Sequence, residues 1–451
     1  MSTPSDPVAL LRSRSYVALL VLAAIIGVPV SAAAYFFLAL VSKLQVWVFT
    51  DLPKAVGFDS EPLWWPIVPL LLAGVLVGLT LRYLPGKGGR SPADGFKVGE
   101  GPPSPVALPG IVLAALATLG LGVVLGPEAP LIAVGGGLGV LAVRLVKRDA
   151  PARTQAVVAS AGSFAAISTL LGSPLTGAFL LMEASGLGGA MLELVLVPGL
   201  LAAGVGSLIF TGLDALTGLG TFSLAIPGLP PVGHPTGAGF LWAVAIGLFA
   251  VPLGSAIRWL GLFLRPHVER WLLLATPVVG LAIAGLAIAY AAATGKASSD
   301  VLFSGQSALG PLVTHSTSYT VGALLLLIAC KGLAYGASLS SFRGGPTFPA
   351  MFLGAAGGIA LSHLPGLPLV DGVAMGIGAM TVVMLRLPLT SVLLATLLLA
   401  SDGLAVMPLV IVAVVVAYVA SARLTPAPAA GNTSSSSGSP GTAQPVHAQE
   451  N

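Results

Sequence analysis

A single ionisable residue, Glu128, stands in the stretch between Glu100 and Arg144, and it lies within Leu125-Gly126-Pro127-Glu128-Ala129-Pro130, where glycine and proline break an otherwise apolar run. A carboxylate at such a place costs roughly 2.5 to 3.5 kcal/mol on membrane-insertion scales, so its presence calls for a compensating role. Gly126 and Pro127 suit the start of a helix inside the apolar region. Such a start exposes unpaired N–H groups and the positive end of the helix dipole, and so attracts anions. Gly88-Gly89-Arg90-Ser91-Pro92 and Gly344-Gly345-Pro346 offer two further starts, the first with a serine hydroxyl as an added donor. Converging ends of this kind form an anion site without a buried lysine, which would hold the anion too tightly for throughput. A carboxylate beside the site competes with the anion: ionised it occupies the place, protonated it can swing away.

The elements that position these residues must lie in a bilayer. With 56% hydrophobic and 8% charged residues, the chain departs from a water-soluble globule, whose charged fraction is about 25%. Apolar segments of spanning length recur from residue 16 to residue 424, and their continuity excludes the alternating pattern of a β-barrel. The fold expected is therefore an all-α polytopic membrane protein. The net charge of +4 is spread over short loops rather than gathered in a nucleic-acid patch, which excludes nucleic acid as a partner. Cys330 stands alone and reads as a packing residue. The spans hold no Ser/His pair and no His/Asp cluster, so neither an enzyme, a metal site nor a cofactor is expected.

The first span, residues 16–42, runs past Ser31-Ala32-Ala33-Ala34 without a break and is read as uncleaved. Arg12 and Arg14 hold residues 1–15 in the cytoplasm. A second span at about 63–83 returns the chain, placing Arg82, Lys87, Arg90 and Lys97 in a cytoplasmic loop; two more crossings bring Arg144, Lys147, Arg148 and Arg153 to the same side. One topology thus satisfies the positive-inside rule for both loops, in a multi-pass protein of the plasma (inner) membrane. Glu128 then falls toward the extracytoplasmic half.

The 58 glycines and 36 prolines are too many for uninterrupted spans. Broken helices at membrane depth are tolerated where the freed backbone faces protein or a watery cavity. The breaks also repeat. Gly126-Pro127-Glu128-Ala129-Pro130, then Gly135, then Pro174-Leu175-Thr176 in one half match Gly345-Pro346-Thr347-Phe348-Pro349, then Gly354, then Pro388-Leu389-Thr390 in the other. This order implies a duplicated unit with a site at the interface of its halves. The organisation expected is a first membrane repeat over 16–217, a Pro/Gly-rich linker over 218–237, a second repeat over 238–424 and a disordered tail over 425–451.

Over residues 16–424 the chain resembles the CLC family of chloride channels and proton-coupled chloride antiporters. The family's Gly-Arg-Glu-Gly-Pro motif resembles Gly126 to Pro130. Its Ala-Pro-Leu-Ala-Gly element ending in an acidic pair resembles Ser173 to Glu183. Its Gly-Gly-x-x-x-Pro element resembles Gly344 to Pro349, and its Arg-Ala-Pro-Leu-Thr element resembles Arg386 to Thr390. The resemblance implies an inverted repeat of tilted, broken helices and a homodimer with one anion pathway per subunit. It also implies that Glu128 is the gate and that Gly89, Ser91, Gly126, Ala129, Gly345, Thr347 and Phe348 are anion-binding positions.

The chain departs from the family pattern at defined places. Pro127 replaces the arginine before the gate, Gly89 stands where the first loop has its central serine, and Thr347 stands where the pore phenylalanine belongs, with Phe348 adjacent. The internal proton-transfer glutamate aligns with Ala184, leaving Glu183 as the candidate for a proton path. The last helix with the family's central tyrosine is missing, and Tyr418 lies too early to supply it. These departures imply chloride transport that is channel-like or weakly proton-coupled. A fully proton-coupled antiporter of chloride or another small anion is the alternative, and a transport-inactive subunit is a competitor from a different class. Lys331 reads as a helix-end lysine that snorkels, and His234, His267 and His363 as surface residues.

Overall fold

The computed structural model describes residues 13–424 apart from 97, 99–100, 187–188, 220–225, 227–228, 230–233 and 400–402. Arg12, Lys97, most of the expected 218–237 linker and the 425–451 tail lie outside the described residues. Within them the chain forms fifteen α-helices. The first half holds α1 (Arg14–Val46, continuing to Ala55 through a π-helical turn), α2 (Ile67–Tyr83), α3 (Leu108–Gly120), α4 (Glu128–Val146), α5 (Ala152–Leu171), α6 (Pro174–Ser185) and α7 (Gly189–Thr217). The second holds α8 (Gly237–Arg270), α9 (Leu272–Thr294), α10 (Gln306–Thr314), α11 (Val321–Ser341), α12 (Thr347–Leu361), α13 (Leu369–Leu385), α14 (Pro388–Leu398) and α15 (Gly403–Leu424).

Eight helical segments among the described residues are long and apolar enough to cross a membrane, and the rest of the apolar helices are shorter. The α2 helix shows the lipid setting directly. One face buries Leu70, Ala73, Val77 and Leu81, while Val68, Leu72, Val75 and Leu79 on the other face are equally apolar yet exposed. A helix apolar all round, with one side uncovered, has lipid as its solvent.

The core consists of α12 and α13, whose residues are nearly all buried, and of α5 from Val157 onward. Two helix pairs, α4 with α5 and α12 with α13, are packed by one device. A Cβ at Gly135 would sit 2.5 Å from the Gly162 carbonyl oxygen, and one at Gly139 would sit 2.7 Å from that of Val158. In the second pair, Cβ atoms at Gly354 and Gly358 would overlap the carbonyl oxygens of Gly376 and Gly372. Without a hydrophobic drive between helices in lipid, such close backbone approach supplies the packing energy. Glycine repeats that looked like breakers in the sequence are therefore contact surfaces at the same places in both repeats.

The expected helix start at Gly88 to Pro92 departs from expectation. Pro92–Asp94 is a single 3-10 turn, ended by Gly95 at φ 83°, and it is preceded by four residues with positive φ, Gly86 to Gly89. That backbone is a tight loop rather than a helix end. Lys331 is also misread as a terminal, snorkelling lysine: α11 continues ten residues beyond it to Ser341, and its side chain is wholly buried. The long apolar run before Lys331 looked like a complete span, but the helix goes on through residues that are buried except for Leu333.

The packing generates a paired prediction. Leucine at Gly358 must collide with the α13 backbone, whereas Gly357, one residue away, has nothing within 4 Å of its Cβ position. Gly358→Leu should lower the yield of monodisperse protein in detergent severely, since even ordinary overpacking costs about 1 to 3 kcal/mol. Gly357→Leu should leave it near wild type, as read by size-exclusion chromatography of the two variants side by side.

Candidate functional site

At the centre of the molecule the two repeat breaks touch. Gly126 and Gly345 form an isolated antiparallel bridge, the Gly126 N–H donating to the Gly345 carbonyl at 2.8 Å and the Gly345 N–H donating back at 2.6 Å. The next residue on each side has the same backbone, Pro127 at φ −83°, ψ −6° and Pro346 at φ −91°, ψ −4°. Each proline leads directly into a helix, α4 at Glu128 and α12 at Thr347. Proline fits there because the first N–H groups of a helix lack intrahelical acceptors in any case. The two helix starts therefore converge, and Glu128 and Thr347 occupy equivalent first positions.

Glu128 is 1% exposed. Its carboxylate folds over the bridge, and Oε1 accepts the backbone N–H of Thr347, at the positive end of α12. Oε2 has no hydrogen-bond partner, and neither does the Thr347 hydroxyl. The glycines make this arrangement possible: Cβ atoms at Gly126 and Gly345 would both overlap the Glu128 carboxyl group. Tyr335 of α11 secures the second break, its hydroxyl donating to the Pro346 carbonyl at 2.7 Å.

A cavity of about 960 Å³ reaches this point from one end of the molecule, lined by Gly88, Gly89, Arg90 and Ser91 of the first loop, Arg153, Arg343, Gly344 and Pro346, and Ala129 of α4. Arg90 and Arg153 share its wall, so both basic loops lie at that end. Of the expected anion-binding residues, Gly89, Ser91 and Ala129 line the cavity, whereas Gly126, Gly345, Thr347 and Phe348 are not part of its lining. They sit with Glu128 beyond its inner end, and Thr347 and Phe348 are each 1% exposed. The cavity thus reaches the neighbours of Glu128, namely Ala129, Gly344 and Pro346, while the carboxylate itself rests on the Thr347 amide outside the lining.

The expected proton-path residue, Glu183, makes a different set of contacts. Its Oε1 accepts the Leu389 N–H at 2.9 Å, and its Oε2 accepts the N–H and hydroxyl of Thr390 at 2.8 and 2.7 Å. The α14 helix has no side-chain cap of its own. Glu183, near the end of α6, caps it from the other repeat, which suits a carboxylate at a helix N-terminus.

Two residues beside the site, Arg343 and Tyr335, escaped sequence reading. Arg343 directly precedes Gly344; its Nη1 donates to the Phe342 carbonyl at 3.0 Å, its Nε is buried without a partner, and Gly88 packs against its side chain, so that a Cβ there would lie 3.3 Å from Arg343 Cγ. Its position against Gly344-Gly345 was the signal available in the sequence. Tyr335, one helical turn from Lys331 on α11, carried no motif. The three histidines that the sequence placed at the surface, His234, His267 and His363, are exposed, and Cys330 is buried in packing.

Comparison with known proteins fits these features. The family model described as voltage gated chloride channel matches residues 75–422. A relative named "Putative ion-transport protein YfeO" from Salmonella paratyphi A (strain ATCC 9150 / SARB42) is 31% identical over 383 residues, covering 83% of this chain and 88% of its own length. The protein of the same name from Salmonella typhimurium matches over the same extent. Among solved structures, a slow cyanobacterial Cl−/H+ antiporter aligns with a TM-score of 0.70 at 18% identity, covering 90% of this chain and 94% of that one. A CLC-type fluoride/proton antiporter aligns with a TM-score of 0.62 at 19% identity, covering 90% and 95%. With its broken-helix repeats meeting at Gly126 and Gly345, this multi-pass membrane chain belongs to the voltage-gated chloride channel family, the CLC family of anion transport proteins.

Proposed function

We propose that the chain moves chloride or a similar small anion across the plasma membrane through one pathway per subunit of a homodimer, and that Glu128 is the gate. The observation that carries this reading is the Glu128 carboxylate resting on the Thr347 N–H at the start of α12. An anion entering from the vestibule needs that amide, and the carboxylate must be displaced or protonated to release it. Arg343 supports entry: a guanidinium on the cavity wall raises the local concentration of anions. Gly89 and Ser91 then form the outer part of the path, and Gly126, Ala129, Gly345, Thr347 and Phe348 the part at the gate. On this reading the vestibule faces the cytoplasm, with the N-terminus on the same side, which the basic residues Arg90 and Arg153 on its wall support through the positive-inside rule.

Transport on this reading is channel-like or weakly proton-coupled. Ala184 cannot carry a proton, and Glu183 has both oxygens engaged as acceptors by the start of α14, the role of a helix cap. The second reading, full proton coupling, is favoured by the Cl−/H+ and fluoride/proton antiporters among the structural neighbours. Purified protein in liposomes separates the two. With weak coupling, an imposed chloride gradient drives chloride efflux without uphill proton uptake; sustained uphill uptake establishes the antiporter. Glu183→Ala should lower the melting temperature, by loss of three part-buried or exposed hydrogen bonds each worth at most about 0.5 to 1.5 kcal/mol, and leave the proton-to-chloride ratio as it was.

The gate itself is tested by two substitutions at different residues. Glu128→Gln keeps the shape of the protonated acid and removes its titration, so chloride flux should persist and lose its dependence on pH; a pH profile identical to that of the wild type would exclude Glu128 as the gate. Gly345→Ala puts a methyl group where the carboxyl group now lies. It should therefore flatten the same profile with Glu128 unchanged, and a structure of this variant should show the carboxylate off the Thr347 amide.

A further inference from the structure

Lys331 is the fully buried cation of α11, and its surroundings are unlike those of an ion pair. Its Nζ lies 3.0 Å from the carbonyl oxygens of Asp300, Val301 and Leu302 and 3.3 Å from that of Phe303. The Phe352 ring closes the remaining side, with its centroid 4.4 Å from Nζ. An ammonium group has three protons, fewer than the four carbonyls that surround it. The contact is therefore that of a cation in a ring of carbonyl dipoles with an aromatic face, the coordination that proteins give to desolvated monovalent cations. The nearby Asp300 carboxylate attracts the ammonium electrostatically without bonding to it directly, its Oδ2 accepting from the hydroxyls of Tyr290 at 3.2 Å and Tyr319 at 3.1 Å.

The segment that supplies the cage is keyed to both arms of the central site. The Phe303 N–H donates to the Gly122 carbonyl at 3.0 Å, in the stretch that leads from α3 to Gly126. Phe303 itself holds a positive φ of 60°, uncommon for a bulky residue, and its ring packs edge-on against Phe49 at 4.9 Å. Gly305 lies against Phe352, in the second turn of α12. The cage thus touches the chain on the Glu128 side through Gly122 and on the Thr347 side through Phe352.

We propose that the carbonyls of residues 300–303 and the Phe352 ring form a monovalent-cation site whose occupant is the tethered ammonium of Lys331, and that its charge fixes the spacing between the Gly122 arm and α12. Lys331 is then a positioning residue, acting on the Glu128–Thr347 contact through backbone. The second half of the proposal rests on the gate reading; the first half does not. An emptied site should accept a primary alkylammonium, ammonium or potassium ion, which suit oxygens 3.0 to 3.3 Å away, and should reject sodium, which is too small for them.

The test uses the full chain purified in detergent and the same protein in liposomes. Lys331→Ala empties the cage and the channel of the side chain; Lys331→Met fills the channel without the charge. Lys331→Ala should melt several degrees below wild type and recover saturably with propylammonium chloride, with no recovery from choline chloride, sodium chloride or propanol, and the wild type should not respond. Chloride flux through Lys331→Ala should fall roughly tenfold and return with propylammonium, while Lys331→Met stays low with or without it. Recovery of Lys331→Ala from membranes only when propylammonium is present also supports the site. The site is overturned if Lys331→Met matches the wild type in melting and flux, if folded Lys331→Ala ignores propylammonium, or if Lys331→Ala is lost with and without it. Restored melting with flux still depressed overturns the positioning role alone. Because the melting arm involves no transport, it stands or falls independently of Glu128 as the gate.

Discussion

The two hydrogen bonds between Gly126 and Gly345 are the constraint on which the rest of the site depends. Non-helical backbone at membrane depth cannot turn to water for its donors and acceptors, and an unpaired amide group there costs several kcal/mol. Each repeat has such a break, and each break satisfies the other's central N–H and carbonyl. Neither is a stable feature of its own half, so the halves must meet for either to fold. Once they meet, the starts of α4 and α12 are brought together with their free N–H groups facing one region, which makes that region a place for negative charge.

The same contact explains why the neighbouring residues are so small. Gly126 and Gly345 leave the space into which the Glu128 carboxyl group folds, and the carboxylate in turn accepts an amide that would otherwise be unpaired. A charge-assisted hydrogen bond of that kind is roughly twice as strong as a neutral one, and it offsets part of the burial cost that made Glu128 conspicuous. Further out, the glycine contacts between α4 and α5 and between α12 and α13 fix the direction in which each helix leaves the centre. The bridge sets the meeting point, the glycine seams set the angles, and Tyr335 holds the second break through the Pro346 carbonyl.

Much of this was legible in the sequence, for a physical reason. Apolar runs, Gly-Pro breaks and an isolated acid are local signals, and their repeated order conveyed the duplicated architecture and the position of Glu128. The residues whose surroundings the sequence left open, or that it passed over, are those whose meaning lies in partners far along the chain. Glu183 is defined by Leu389 and Thr390, and Arg343 by Gly88 and the vestibule. Lys331 reads as the end of a span because it follows a long apolar run, yet the helix continues to Ser341 and every residue from Gly332 onward except Leu333 is buried. The loop at Gly86 to Gly89 carried the right residues for a helix start, but successive positive φ angles make it a turn, a distinction that composition does not encode.

The asymmetry of the site is harder to obtain than its symmetry. A duplicated backbone places equivalent first residues at α4 and α12, and two acids there would face each other across one bridge. Like charges that close, in a medium with little water, cannot both ionise. A pair of short neutral residues would leave the Thr347 amide without the carboxylate it now has. Glu128 opposite Thr347 avoids both outcomes. The longer side chain crosses the bridge and the shorter one gives up its N–H to it, while the unpartnered Thr347 hydroxyl and Glu128 Oε2 remain as polar atoms with bonding capacity unused. A symmetric scaffold therefore carries a single carboxylate at its centre, and on the proposed reading its exchange for an anion at the Thr347 amide needs only rotation of one side chain and no rearrangement of the helices.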